Sequence, residues 1–329
     1  MAKLKPNSEK IKDFLATLQK SSFLPSNKKW WPKYLYHFSD VNNIVSILET
    51  HYLYSRNLAI EKGLLKVDIA STEVISNTKD QIMNFVRLYF RPRTPTQYKN
   101  EGVRPIDQRE IHAHCPIPIY LMFDSEPILS HPESKFSNRN LAKKKSTYTG
   151  NIKKLLKFPF ELIYHDSFFQ DINEKEKIVA HRNAEVIIPN SINLDSLKFI
   201  FCRSYAEKDT LLNSLSKNAS ESWSGKIYVD SENNLFLKNW TFVEKAILSR
   251  GYIILHFPPD SKTPGPFTLR IVRHDLDTDE IISGEITPFM CEGRKTIKFK
   301  NNSEEYSIKV FLDNDLVYFG LHDQADLPI

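Results

Sequence analysis

The segment YHFSDVNNIVSIL, residues 36–48, carries two side chains that can bind a polar ligand. His37 ends a predicted strand, from which a ring nitrogen can contact a ligand hydroxyl, and Asn43 lies in the helix that follows. Backbone amides of the intervening turn can bind further polar groups. The same pattern also fits a helix-capping turn with an incidental histidine, so the segment supplies candidates and does not define a site.

A second segment, FVRLYFRPRTPTQY, residues 85–98, combines three arginines with aromatic residues and two prolines. Arginine binds phosphate through two parallel hydrogen bonds, and aromatic rings stack on flat bases or on nicotinamide. The prolines restrict the loop to few conformations. An arginine-rich surface turn has the same composition and is the alternative for this segment taken alone.

The third segment, HRNAEVIIP, residues 181–189, places Glu185 at the start of an apolar strand. A carboxylate at a strand mouth can stabilise a developing cation or, when desolvated, act as a base. A charged residue that ends a turn is the alternative. Neither a glycine-rich phosphate loop nor a hydrolase elbow is found in the sequence, and His112 and His114 have no third ligand at metal-binding spacing.

In this order and with similar separations, the three segments resemble the DarT-type ADP-ribosyltransferases, toxins that attach ADP-ribose from NAD to nucleobases. The resemblance covers about residues 34–203, and YFRPRTP followed by a tyrosine is its most specific part. It implies an α+β fold of the ADP-ribosyltransferase type, with two small β-sheets around an NAD cleft and helices outside.

The resemblance also assigns roles to individual residues. Glu185 corresponds to the catalytic glutamate, which stabilises positive charge on the ribose as nicotinamide leaves. Arg93 is expected to hold the pyrophosphate. NAD is the substrate and no metal is expected. The residues expected to bind NAD are His37, Asn43, Arg56, Tyr89 and Arg93.

The acceptor implied by the resemblance is a ring or exocyclic nitrogen of a nucleobase. Such an atom is reachable in a single strand or a flipped nucleotide, and single-stranded DNA is favoured over RNA. The polar segment 124–150 takes the place of the substrate-recognition loop. The side chains expected to contact the nucleic acid are Arg91, Arg139, Lys143, Lys144 and Lys145.

One departure from the family concerns the base. Thymidine-modifying members carry a basic pair before the YFxPRTP segment, whereas this chain has VISNTKD, residues 74–80, with Asn77 and Thr78. Lys79 or Arg56 is the candidate substitute. Without such a substitute a guanine or adenine amine becomes the better acceptor, because it needs no prior deprotonation. Transfer to RNA or to a protein, and a non-catalytic nucleic-acid-binding module with a protein-interaction tail, are the competing interpretations.

Hydrophobic periodicity predicts the elements that position these residues. Helices are predicted over 9–20, 41–50, 65–90 and 173–182, and strands over 34–38, 53–57, 117–123, 161–165, 185–189 and 197–203. Residues 124–150 are predicted to form a long surface loop. From residue 205, runs such as KIYVD, LFLKNW and YIILHF recur at intervals of about 8–12 residues, a spacing typical of a β-sandwich.

We therefore predict an ADP-ribosyltransferase domain over residues 1–205 and a C-terminal all-β, sandwich-like accessory domain of unknown role over residues 206–329. Residues 1–200 carry a net charge of +9 and residues 201–329 a net charge of −4, which favours a polyanion as partner of the first part.

Three widely spaced cysteines indicate a reducing compartment, and no signal peptide or membrane-spanning run is seen. We expect a cytoplasmic protein of a toxin–antitoxin or phage-defence system that does not bind membranes. Its cognate antitoxin is expected to be an ADP-ribosyl hydrolase or a blocking protein.

Overall fold

The computed structural model describes residues 4–69, 80–109, 114–142, 146–167, 169, 171–299 and 304–322. Short helices alternate with strands up to residue 230, and strands dominate afterwards. The helices of the described residues are α1 (Glu9–Lys20), α2 (Val41–Thr50), α3 (Arg56–Glu61), α4 (Pro95–Asn100), α5 (Ser125–Ser130), α6 (Ile152–Leu155), α7 (Phe160–Ile163), α8 (Ile172–His181), α9 (Tyr205–Ser214) and α10 (Lys217–Trp223).

The strands divide into one large sheet and three smaller ones. They are β1 (Tyr34–Asp40), β2 (Tyr52–Tyr54), β3 (Phe85–Tyr89), β4 (Pro118–Asp124), β5 (Lys135–Ser137), β6 (Glu185–Pro189), β7 (Ser191–Asn193), β8 (Leu197–Cys202), β9 (Ile227–Val229), β10 (Lys245–Ser249), β11 (Tyr252–Phe257), β12 (Phe267–Asp275), β13 (Ile281–Phe289), β14 (Gly293–Lys298), β15 (Tyr306–Leu312) and β16 (Asp315–His322).

The large sheet has seven strands in the order β5-β6-β3-β1-β4-β8-β9. Strand β3 is antiparallel to β1 and to β6, and β5 is antiparallel to β6. Strands β4 and β6 are apolar and buried along most of their length, as expected for strands covered on both faces. This order places the start of β6, which is Glu185, between β3 and β5.

The chain forms two compact units. The first comprises residues 1–38, 50–98 and 120–200, and its interior includes large aromatic side chains. The rings of Tyr36 and Tyr120 meet edge to face with their centroids 6.2 Å apart. Edge-to-face pairs add to the free energy gained from burying the rings, so they help to fix the strands of this unit.

The second unit comprises residues 39–49, 99–119 and 201–329. Its strands form a sheet β10-β11-β14 and a sheet β13-β12-β15-β16, with antiparallel pairing throughout. Leu255, Leu269 and Ile308 belong to one buried apolar cluster that draws on strands of both sheets. In the described residues from 245 onward the regular elements are all strands, in line with the predicted all-β character, whereas residues 205–223 form the helices α9 and α10.

The units divide the chain differently from the boundary predicted at residue 205, because residues 39–49 and 99–119 cluster with the second unit. The resemblance implied two small sheets, but the described strands of this part form the seven-stranded sheet and a two-stranded pair, β2 with β7. Strand β9, predicted to start the β-sandwich, belongs to the large sheet.

The helix predicted over 65–90 is wrong at its end, where residues 85–89 form β3. Val86 and Leu88 are buried and alternate with more exposed residues, so burial follows the two-residue period of a strand. Residues 70–79 lie outside the described part of the chain.

Other short apolar runs were also assigned the wrong element. Residues 160–163 form α7 and not a strand, because Phe160 and Ile163 are buried at helical spacing directly after Pro159. The predicted loop 124–150 contains α5 and β5. Residues 235–240 were predicted as a strand and form none.

A buried ion cluster joins separate segments of the second unit. The Arg203 guanidinium is bonded to Glu207, donates to the carbonyl oxygen of Pro116 at 2.8 Å, and lies over the Phe242 ring. Glu101 lies 3.6 Å from Arg203 and accepts hydrogen bonds from the backbone N–H groups of residues 237 and 238. Burial raises the pKa of Glu207 to about 7, against the opposing effect of Arg203.

None of the described helices has both the length and the apolar content needed to cross a bilayer. All three cysteines are buried free thiols.

Replacing Arg203 with methionine is expected to lower the free energy of unfolding by about 3–5 kcal/mol, because it leaves buried carboxylates without their cation. Urea denaturation of wild type and Arg203→Met measures this loss. The double variant Arg203→Met/Glu207→Gln should recover part of it, since one uncompensated charge is removed. A loss below about 1 kcal/mol in the single variant would contradict a stabilising role for the cluster.

Candidate active site

The carboxylate of Glu185 is fully buried at the first position of β6. In the sheet register Glu185 pairs with Tyr89 of β3 and with Ser137 of β5. Its Oε1 accepts a hydrogen bond from the backbone N–H of Leu141 at 3.3 Å. A buried carboxylate requires hydrogen-bond donors and a cation nearby, so its other partners determine whether it keeps its charge.

Arg87 supplies that cation from β3. Its Nε lies 2.6 Å from Oε2 of Glu185, and its Nη2 lies 2.6 Å from Oε1, which is a two-point ion pair. Residues two apart on a strand point to the same face, so Arg87 shares a face with Tyr89 and lies diagonally across from Glu185. Burial disfavours the charged guanidinium, but the Glu185 carboxylate and Tyr89 act in the opposite direction, and the pKa of Arg87 is raised above its ordinary value.

Arg87 is one of the three arginines of residues 85–98, and the sequence alone assigns it no role. The available signal was the alternation of Arg87 and Tyr89 in a segment that can form a strand. Because the segment was predicted to be helical, that alternation was not used. The structure assigns Arg87 to the immediate surroundings of the catalytic candidate.

His37 is linked to the same arginine through the backbone. Its Nδ1 lies 3.2 Å from the carbonyl oxygen of Arg87. Burial lowers the pKa of His37 from 6.5 to about 4, against the raising effect of this hydrogen bond. The ring is therefore neutral at pH 7, with its proton on Nδ1 donated to the carbonyl and its Nε2 able to accept a hydrogen bond.

Arg93 occupies the left-handed region, with φ of 56°, just before Thr94 and Pro95. Its backbone N–H donates to the hydroxyl of Tyr120 at 3.1 Å, which fixes this strained turn to the first unit's core. Arg93 also lowers the pKa values of Arg91 and Arg182, although burial is the larger cause for both. Three guanidinium groups are therefore close enough to repel one another.

Arg91 does not fit the predicted contact with a nucleic acid. Its side chain is 1% exposed. Its guanidinium donates to Asp166 and to the carbonyl oxygen of His165, and it lies over the ring of Trp31. Arg91 is held inside the first unit, where its side chain cannot reach a nucleic-acid strand bound at the surface.

Of the remaining NAD-binding candidates, Tyr89 lies beside Glu185, and Arg56 and Asn43 lie on the helices α3 and α2. Tyr89 lies in β3, and burial raises the pKa of its hydroxyl. Arg56 starts α3 and forms an ion pair with Asp68. Asn43 is buried in α2 and donates to the Ser39 hydroxyl at 3.2 Å.

Arg139 follows β5 in a turn closed by the Ser137 hydroxyl, two residues before Leu141. The other proposed nucleic-acid contacts, Lys143–Lys145, lie outside the described residues, as do His112 and the segment 77–79. His114 is described, and its Nε2 lies 2.7 Å from a carboxylate oxygen of Asp315. In the described ranges, no three His, Cys, Asp or Glu side chains are grouped as a metal site requires.

A family model described as DarT, ssDNA thymidine ADP-ribosyltransferase, matches residues 36–237, well over half of the chain. The chain belongs to the DarT family. The match includes His37, Arg87, Arg93 and Glu185, and it confirms the family predicted from the three sequence segments.

Solved DarT structures resemble the chain at low identity. The Thermus sp. 2.9 DarT in complex with ADP-ribosylated ssDNA is 15% identical, with a TM-score of 0.48, over 62% of this chain and 96% of that chain. The same protein in complex with NAD+ gives a TM-score of 0.46 over 62% and 98%. The Thermosipho africanus DarTG in complex with ADP-ribose is 15% identical, with a TM-score of 0.46, over 66% of this chain and 53% of that chain. A search of curated proteins found no match.

As a DarT-family member, the chain is an ADP-ribosyltransferase of single-stranded DNA. Its site combines a buried carboxylate at a strand start, an arginine paired with it, and a neutral histidine bonded to the backbone of that arginine. A carboxylate in such surroundings can stabilise positive charge on a sugar carbon, because burial away from bulk water leaves its field less screened.

The low pKa of His37 makes folding stability depend on pH in a predictable direction. The unfolded chain takes up a proton near pH 6.5, whereas the folded chain takes it up near pH 4. Stability is therefore intact above about pH 6.5 and falls as the pH decreases toward 4. In His37→Asn, the part of the acid-induced loss of stability that comes from His37 should disappear. The other histidines contribute the same loss in both proteins.

The measurement is the free energy of unfolding of wild type and His37→Asn at pH 7 and at pH 4.5. The difference between the two proteins should shift in favour of the variant at the lower pH. An identical acid loss in both would show that His37 is not held neutral by the fold.

Proposed function

We propose that the chain transfers ADP-ribose from NAD to a nucleobase of single-stranded DNA, as the toxin of a toxin–antitoxin system. The observation that carries this proposal is the Glu185 carboxylate, buried at the start of β6 and joined to Arg87 by two short hydrogen bonds. A buried, ion-paired carboxylate at the start of a strand supports assigning the role of the family's catalytic glutamate to Glu185. NAD as donor is supported by the family membership and by the NAD+ complex of a DarT relative.

The chemistry follows from charge. The bond between the ribose carbon and the nicotinamide nitrogen breaks, the electron pair leaves with nicotinamide, and the sugar carbon becomes positive. A nucleobase nitrogen then bonds to that carbon and loses its proton to solvent or to a nearby proton acceptor. Glu185 would stabilise the cation and hold a ribose hydroxyl, interactions that are strongest in the transition state. The Nε2 atom of the neutral His37 would accept a hydrogen bond from a second ribose hydroxyl.

Arg93 is proposed to bind the pyrophosphate. Arg91, Arg182 and Lys28 surround Asp166, so this region of the first unit has more positive than negative groups. Arg91 and Lys28 are paired with Asp166, and Arg182 donates to His165 and to the Ser167 carbonyl oxygen. An anion beside Arg93 would reduce the repulsion among these cations.

Arg139 and Lys143–Lys145 are proposed to contact the phosphate backbone of the acceptor strand. Arg139 lies two residues from Leu141, whose N–H binds Glu185, so a strand held there would be near the reacting carboxylate. The acceptor base, thymine or a base with an exocyclic amine, is identified by the experiment below.

Two further proposals concern the rest of the chain. We infer that the sheets β10-β11-β14 and β13-β12-β15-β16 form a sandwich, because one buried cluster draws on both. A cognate antitoxin in the same cytoplasm is proposed from the family membership, and the DarTG relative supports it.

Glu185→Gln is expected to reduce transfer at least about 100-fold, because the amide keeps the shape of the side chain and loses its charge. Incubation with NAD and a single-stranded oligodeoxynucleotide, followed by digestion to nucleosides and mass spectrometry, measures the product and identifies the base. Glu161→Gln, an exposed carboxylate of α7, is the matched control and should behave as wild type. Retained transfer by a folded Glu185→Gln protein would remove the assignment.

Arg93→Gln is expected to raise the KM for NAD about tenfold with a smaller change in kcat, because a phosphate-binding charge is lost from ground state and transition state alike. Arg139→Gln should instead weaken binding of the oligonucleotide and reduce its salt dependence. Steady-state kinetics with each substrate varied in turn separate the two effects. If Arg93→Gln and Arg139→Gln each changed the KM for NAD and the KM for the oligonucleotide to the same extent, the two arginines would not have separate roles.

A further inference from the structure

We propose that Arg87 is a positioning residue that covers the Glu185 carboxylate in the free enzyme and releases one of its oxygens, Oε2, when the ribose of the donor enters. This inference rests on the proposed function, since it concerns the residue that the transferred sugar must reach. It adds an exchange of partners that the family chemistry does not itself require.

Arg87 controls access to the Glu185 carboxylate. The side chain of Glu185 is 0% exposed, and both carboxylate oxygens are bonded to Arg87. A ribose hydroxyl needs an open approach to one of those oxygens. The side chain of Arg87 is 27% exposed, so it is the part of the pair that faces solvent and can move.

The two carboxylate oxygens of Glu185 differ in their hydrogen-bond donors. Oε1 accepts from Nη2 of Arg87 and also from the backbone N–H of Leu141. Among the described residues, Oε2 has only Nε of Arg87 as a hydrogen-bond donor. Loss of the Nε contact would free Oε2, while Leu141 and Nη2 keep the carboxylate in place through Oε1. Oε2 is therefore the oxygen assigned to the ribose.

The charge of Arg87 also acts on the carboxylate electrostatically. The guanidinium neutralises the carboxylate in the free enzyme, which makes full burial tolerable. A two-point contact would also weaken the field of the carboxylate at the sugar carbon. Exchange to a one-point contact leaves the cation nearby and moves negative charge toward the sugar, where the transition state needs it.

The surrounding charged and titratable groups are consistent with this exchange. Tyr89 lies next to Glu185 in the register, and burial keeps its hydroxyl protonated. His37 binds the carbonyl oxygen of Arg87 and is neutral, so it holds the backbone of residue 87 without competing for the carboxylate. The side chain of Arg87 can therefore move while its strand stays in place.

The decisive experiment observes the Nε–H of Arg87 directly. The protein is labelled with 15N in arginine side chains, and spectra are recorded with and without a non-cleavable carbocyclic analogue of NAD. Arg87→Lys and Glu185→Gln both identify the resonance, so its assignment does not depend on the folding of one variant. We expect slow hydrogen exchange of this Nε–H in the free enzyme and at least tenfold faster exchange in the saturated complex.

Binding of the analogue without any change at this resonance would overturn the role of Arg87 and leave the proposed function intact. Failure of the analogue to bind, measured by calorimetry on the wild type, would overturn NAD as the donor and this inference with it. The two failures are thus distinguishable.

Kinetics supply a second readout. Arg87→Met should lower kcat at least tenfold, because the Glu185 carboxylate loses the cation that positions it. The KM for NAD should not rise, because no arginine side chain has to be displaced when NAD binds. Arg87→Lys should recover part of kcat, since it keeps the charge. The matched control is Lys198→Met. Lys198 lies on β8, which is separated from β3 in the sheet by two strands, and it is paired with Asp124. This variant should leave kcat and the KM for NAD unchanged. Equal loss of kcat in the lysine and methionine variants would contradict the role of the charge.

Discussion

A carboxylate removed entirely from water keeps its charge only if a cation and hydrogen-bond donors accompany it. Glu185 is such a group, and the fold meets this requirement with Arg87 from the neighbouring strand and the backbone N–H of Leu141. The antiparallel register of β3 and β6 places the arginine diagonally opposite the glutamate. The chemistry of the site therefore depends on strand pairing, and a shift by one residue would turn Arg87 to the opposite face.

The three arginines of residues 85–98 show how one basic segment acquires separate roles. Arg87 lies on a strand and pairs with Glu185, and Arg91 is buried against Asp166 and Trp31. Arg93 follows Pro92 in a left-handed conformation, which is unfavourable for a residue with a β-carbon. The bond from its N–H to Tyr120 holds this conformation. Backbone geometry thus separates an arginine of the interior from one proposed to bind phosphate.

Much of the site could be predicted from the sequence, because its motifs are local. His37, Arg93 and Glu185 each lie in a short segment whose residue types and order resemble the family, and the family is confirmed. Strands β4 and β6 were also predictable, since apolar runs of that length fit buried strands. Arg87 was missed because its importance arises from pairing across 98 residues of sequence, and β3 was predicted as part of a helix.

The remaining errors have the same cause. A short apolar run such as residues 160–163 fits a strand or a helix, and the surrounding packing decides between them. The assignment of residues 39–49 and 99–119 to the second unit could not be derived from local pattern, because its contacts join residues far apart in sequence, such as Leu48 and Trp223 at a separation of 175. Glu101, for example, binds backbone groups of residues 237 and 238 and lies near Arg203. Local sequence indicates which chemistry is available, whereas long-range pairing determines which charged groups meet. For Glu185 that partner is Arg87, whose charge makes the burial of the carboxylate possible.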